Sequence, residues 1–161
     1  MRLIFLIVLA FPYMSFGHGG NVHTKQEAEP LNQNDPLVNI YANINLHYKH
    51  LVEPIFKAKC FDCHSALTKY PWYYSIPGIN LLMNSHIKDA RSHIDMTDGF
   101  PFKSHETPQA DLKELKKTVI NGNMPPWYYR PFHEGSELTT NEAKTILGWI
   151  EESLAKLKES K

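Results

Sequence analysis

Apolar residues recur every three to four positions in successive stretches of this chain, and nowhere do they alternate as in a strand. Asp35-Pro36 offers a capping acid followed by proline at a first helical position, and the periodicity predicts a helix to about Lys49. Ile40, Ile44, Tyr48 and Leu51 fall on one face of it, as do Tyr41 and Tyr48. Glu53-Pro54 then restarts a short helix, Ile55 to Lys59, with Ile55 and Phe56 inward. A third helix is predicted over about Ile79 to His93, with Leu82, Met83, His86, Ile87 and Ala90 as its apolar stripe. A fourth begins at Thr107-Pro108, turns Leu112, Leu115, Val119 and Ile120 inward, and ends at Asn121-Gly122 in a left-handed cap. The last opens with a capping box, Thr139-x-x-Glu142, and carries Ala143, Ile146, Leu147, Ile150, Leu154 and Leu157, with Trp149 on the margin. Between helices lie an aromatic loop, Tyr70-Pro71-Trp72-Tyr73-Tyr74, and a turn at Gly99 that tucks Phe100 and Phe102 inward. The expectation is an all-α fold.

Composition narrows this further. With 161 residues, 42% hydrophobic and 12% aromatic, the chain can bury one real core. Lys+Arg and Asp+Glu are both 17, so no charge excess points to nucleic acid. Met1-Arg2, the apolar run Leu3 to Phe11, Pro12 and the small residues Ser15 and Gly17 read as a signal peptide over 1–17. The run is shorter than the ~20 residues a spanning helix needs. Residues 18–36, with His18 and His23, read as an exposed, turn-rich lead-in, and 37–158 as the folded domain. The expected location is periplasmic or otherwise extracytoplasmic, with no stable membrane span after signal removal.

The chemistry is concentrated in Cys60-Phe61-Asp62-Cys63-His64. This is the attachment signature of a c-type haem. Two thiols three positions apart suit thioethers to two vinyl groups, and the next residue can give iron an imidazole nitrogen. These are the only two cysteines in the chain, and a zinc site would need further ligands that no second cysteine pair supplies. Export agrees with the motif, because bacteria attach haem outside the cytoplasm, where a free pair of thiols would otherwise oxidise. Met124 lies on a loop stiffened by Pro125 and Pro126 and is the candidate distal ligand, a soft thioether that raises the potential of the iron. His86 and His93 on the third helix, and His133 after the Trp127-Tyr128-Tyr129 run, are lesser candidates; Arg91 suits a propionate. His47 and His50 read as flank.

Cys60 to Ser65, Pro71-Trp72-Tyr73, His86 with Arg91, Gly122-Asn123-Met124-Pro125 and the Leu138 to Ile150 helix, in this order, resemble the bacterial haem-binding domain family of c-type cytochromes. The chain departs from that pattern at Ala90 and in the stretch holding Phe100-Pro101-Phe102. The resemblance implies a cytochrome-c-like helical domain around one covalently attached haem c. In it a helix before the attachment motif crosses the C-terminal helix. It implies Cys60 and Cys63 as attachment sites, His64 as proximal ligand and Met124 at the usual distal position. The expected function is single-electron transfer by a monomer that exchanges electrons with redox partner proteins. The alternatives are a haem-based gas or redox sensor, or a peroxidase-like enzyme with an open or labile distal site.

Overall fold

In a computed structural model of the chain, residues 36–159 are described, all within the compact unit Leu31–Lys161. The expected signal peptide and nearly all of the expected lead-in, with His18 and His23, lie outside the described residues. The fold is mainly helical. In order come α1 (Pro36–His47), a π-helical turn (Tyr48–Val52), α2 (Glu53–Lys59), α3 (Phe61–His64), α4 (Ile79–His93), α5 (Pro108–Asn121) and α6 (Thr140–Glu159). A short antiparallel ribbon, β1 (Ile94–Asp95) with β2 (Lys103–Ser104), pairs Ile94 with Ser104 and Asp95 with Lys103. The periodicity gives no hint of these strands.

The break expected before Glu53-Pro54 does not occur. Proline has no N–H to donate, and its ring crowds the carbonyl four residues back. The backbone answers by widening: the Glu53 N–H bonds to the Tyr48 carbonyl, five residues earlier. The helix therefore continues from α1 into α2 with one residue more in that turn. This changes which side chains face inward. Ile44, Tyr48, Val52 and Phe56 are all buried, whereas Leu51, predicted inward on a regular α period, is 51% exposed.

This stripe packs on α6, and α5 packs on α6 from another side. The α6 residues buried there are Ile146, Trp149, Ile150, Ser153 and Leu157. Trp149 is thus central rather than marginal; its indole N–H donates to the Ile44 carbonyl at 3.3 Å. Tyr48 meets Phe102, Trp149 and Phe56 with ring centroids 5.4, 5.5 and 5.8 Å apart. Such pairs add ~0.5–1.5 kcal/mol each beyond burial. The expected helix ends hold. Thr107 caps the Ala110 N–H, Gly122 ends α5 at φ +62°, and the Thr139 and Glu142 side chains bond reciprocally to each other's N–H groups. Of the predicted inward residues of α5, Ile120 is 61% exposed.

Phe100 and Phe102 enter the core from the loop between the ribbon strands, as expected. The turn that delivers them depends on Gly99, whose φ is +85°. Asn45 holds this turn by accepting the Phe100 N–H at 2.9 Å. A Cβ on Gly99 would lie 2.6 Å from the same Asn45 oxygen. Gly99→Ala is expected to cost about 1–3 kcal/mol through backbone strain and loss of that bond. A urea midpoint unchanged from the parent would contradict this account.

Candidate functional site

The attachment motif forms a single turn. The Cys60 carbonyl accepts the N–H groups of Cys63 and His64 at 3.1 and 3.0 Å, so both thiols and the imidazole leave one short stretch of backbone. His64 Nδ1 lies 3.1 Å from the Ile94 carbonyl. A carbonyl only accepts, so Nδ1 carries the hydrogen and the lone pair is left on Nε2. The two residues after β1 hold the rest of the motif as well. The Met96 N–H bonds to the His64 carbonyl at 2.7 Å, and the Ala66 N–H to Thr97 Oγ1 at 2.8 Å. Fully buried Ser65 donates to the Phe61 carbonyl at 2.8 Å and accepts the Leu67 N–H at 3.0 Å.

Asp95 supports this frame from below. It accepts bonds from the Thr97 backbone and hydroxyl, and two from Arg91 at 3.0 and 2.7 Å. Burial would raise its carboxyl, but Thr97 and Arg91 hold it below the usual range. Arg91, predicted to suit a propionate, is therefore paired with Asp95.

Beside the motif lies an open, mainly apolar cleft. Asp62, Cys63 and Pro71 line one wall, Met83, His86 and Ile87 of α4 a second, and Pro126, Tyr128, Tyr129 and His133 a third. The segments that form it also leave apolar side chains uncovered, including Trp72 at 81%, Trp127 at 79% and Leu81 at 72% exposure. No residue of α4 is fully buried, so its apolar stripe meets no protein core. Large apolar side chains left exposed on the segments that form a cleft point to a binding surface. The donor set, two neighbouring thiols and an imidazole with a fixed tautomer, matches a flat apolar macrocycle carrying iron. The residues present fit a haem.

The predicted site residues are distributed unevenly. Of Cys60, Cys63, His64 and Met124, only Cys63 lines the cleft. Met124 follows α5, is 48% exposed, and stands two residues before Pro126 of the cleft wall. His86 lines the cleft with its ring 5.7 Å from that of Tyr128. His133 also lines it, but both its nitrogens are engaged: Nδ1 donates to the Tyr129 carbonyl at 2.9 Å and Nε2 accepts from the Tyr73 hydroxyl at 2.8 Å. Its ring stacks on that of Tyr129 at 3.5 Å. His93 is exposed, donating from Nδ1 to the Asp89 carbonyl at 3.0 Å. Among the described residues no three His, Cys, Asp or Glu side chains gather as a metal cluster. Sequence reasoning missed the Tyr73–His133 bond and the Ile94 carbonyl, for which no side-chain pattern gives a signal.

Electrostatics keep these groups neutral. Burial first, then the neighbouring Cys63, pushes the Cys60 thiol up to about 12. Burial also raises Cys63. Burial lowers His64 below its usual value, against the pull of the Ile94 and Ala90 carbonyls. The thiols and the imidazole are thus uncharged at neutral pH, and a protonated thiol resists disulfide exchange.

The haem-binding domain family matches residues 21–152 of the chain. The chain is also 28% identical, over 93 residues and 56% of its length, to the cytochrome c peroxidase Ccp of Escherichia coli (strain K12). It spans 20% of that protein's length. No solved structure matches the chain. No described helix is long and apolar enough to cross a membrane.

The buried thiol has a consequence for the stability of the haem-free chain. Unfolding lets Cys60 ionise from 9.0 upward, whereas the folded thiol keeps its proton to about 12. Its contribution is complete below pH 9 and is lost as pH rises toward 12. The urea midpoint of the haem-free chain is expected to fall across this window. The fall should be shallower in Cys60→Ala; equal slopes in the two proteins would refute the assignment.

Proposed function

The chain belongs to the haem-binding domain family, and on that premise we propose that it is an exported, monohaem c-type cytochrome that transfers single electrons. The observation that carries this reading is the turn Cys60–His64, where two thiols precede an imidazole whose Nδ1–H is fixed on the Ile94 carbonyl. Cys60 and Cys63 hold the group covalently. Their thiols would hold it as thioethers. His64 would offer its free Nε2 to the iron and Met124 its thioether. Haem bound in this way supplies an iron that gains and loses one electron. The chain's own task is to hold two strong ligands in one geometry, to exclude water with the rings of Tyr128 and Tyr129, and to leave an edge open to partners. The neutral sum of 17 basic and 17 acidic residues favours no docking polarity. The reading includes a periplasmic location, a monomeric state and redox proteins as partners.

A second reading rests on a specific observation. Met124 is 48% exposed, and the named relative is a peroxidase. A labile distal position would suit a sensor or a peroxidase-like enzyme, for which His86 is the acid–base candidate in the cleft. In a bis-histidine carrier the same side chain would take the place of Met124.

Two measurements separate these readings. Spectra of the protein expressed with a haem-attachment system are expected to show a covalent, low-spin haem that does not bind carbon monoxide. Ready binding of carbon monoxide would favour the second reading, and loss of haem under denaturing conditions would refute covalent attachment. Met124→Ala is expected to lower the potential, on the order of 0.1 V out of the roughly 0.8 V that axial ligation spans. It should also open the iron to carbon monoxide. An unchanged potential and spectrum would exclude Met124 as ligand.

A further inference from the structure

The loop between α5 and α6 carries Met124, yet that side chain is half exposed and lies outside the protein core. What fixes its backbone is Arg130, from the 3₁₀ turn Arg130–Phe132. Arg130 Nη2 donates to the Gly122 carbonyl at 2.7 Å, and Nε to the Pro125 carbonyl at 2.9 Å. Nη1 pairs with Glu137 at 2.9 Å. The two carbonyls bracket Asn123-Met124. The Asn123 N–H is also tied back to the Thr118 carbonyl at 3.4 Å. The guanidinium thus sits at the C-terminal end of α5, where carbonyls are left without helical partners and the helix end favours a cation. A guanidinium offers donors in several fixed directions, which a lysine ammonium does not reproduce.

We propose that Arg130 is a positioning residue for the distal ligand, clamping the backbone on both sides of Met124 so that its thioether is preset for iron, with Glu137 holding the clamp. This inference rests on the reading of Met124 as distal ligand. With the clamp closed, the freedom left to the loop is confined to Asn123 and Met124. With it open, the Met124 segment samples many arrangements, and an added ligand competes more easily for the iron.

The test uses the haem-loaded full chain. In the ferric parent, the weak near-infrared sulfur-to-iron band reports Met ligation, and titration with imidazole reports how readily the distal position opens. Arg130→Gln is expected to weaken the band and to bind imidazole about tenfold more tightly, because apparent affinity scales with the open population. Covalent haem content and far-ultraviolet circular dichroism should be unchanged. Arg130→Lys, which keeps the charge and loses the fork, should shift in the same direction. So should Glu137→Gln, by less. Parent-like imidazole affinity and band in Arg130→Gln would overturn the clamp while leaving Met124 as ligand. A parent without the band would overturn both readings together. If Arg130→Gln does not fold, the other two variants decide, and no shift in either overturns the proposal.

Discussion

One carbonyl, that of Ile94, sets the tautomer of His64, and much of the site depends on how that carbonyl is delivered. Ile94 opens a two-stranded ribbon only two residues long, which by itself has negligible stability. It persists because Asp95 is bonded to Thr97 and Arg91, and because Phe100 and Phe102, on the loop that closes the ribbon, are buried beside Tyr48 and Trp149. The orientation of one imidazole is thereby tied to the main hydrophobic core some distance along the chain.

The two halves of the domain use apolar surface differently. The crossing of α1, the π turn and α2 with α6 buries its aromatic rings against protein. The α4 stripe, Pro71 after the motif and the segment after Met124 line a cleft, and the aromatic loop leaves Trp72 exposed. The first half can be ordered by its own packing. The second is an apolar receptacle whose walls are linked by a few polar ties, among them Tyr73 to His133 and Arg130 to the Met124 loop. This division allows a binding site to exist without a collapsed core filling it.

Much of this was legible in the sequence where local chemistry decides structure. Thr107-Pro108, Gly122 and the Thr139–Glu142 box each specify a helix end through a side chain or a φ value, and each is where it was expected. The compact turn at Cys60–His64 is legible for the same reason, since a five-residue spacing is local and the backbone closes it on the Cys60 carbonyl. Burial in α4 was not legible, because an apolar stripe states that a face needs cover without saying whether protein or a ligand supplies it. Leu51 was misplaced because the assignment assumes an unbroken 3.6-residue period through the π turn; Trp149 sits on the regular buried stripe of α6, between Ile146 and Ile150, and was placed at its margin by too narrow a reading of that stripe. Arg130 gave no signal, since two of its three partners are backbone carbonyls brought together by turns.

The π turn at Tyr48–Val52 has a consequence that is angular rather than energetic. Each helical residue advances the chain by roughly 100° around the axis. The added residue therefore sets the phase of α2 against α1, and with it the direction in which Cys60 leaves the helix end. Excising that residue while keeping every side chain of the motif would rotate the whole attachment segment relative to α6. The turn acts as a dial, and the proline that follows it fixes the setting.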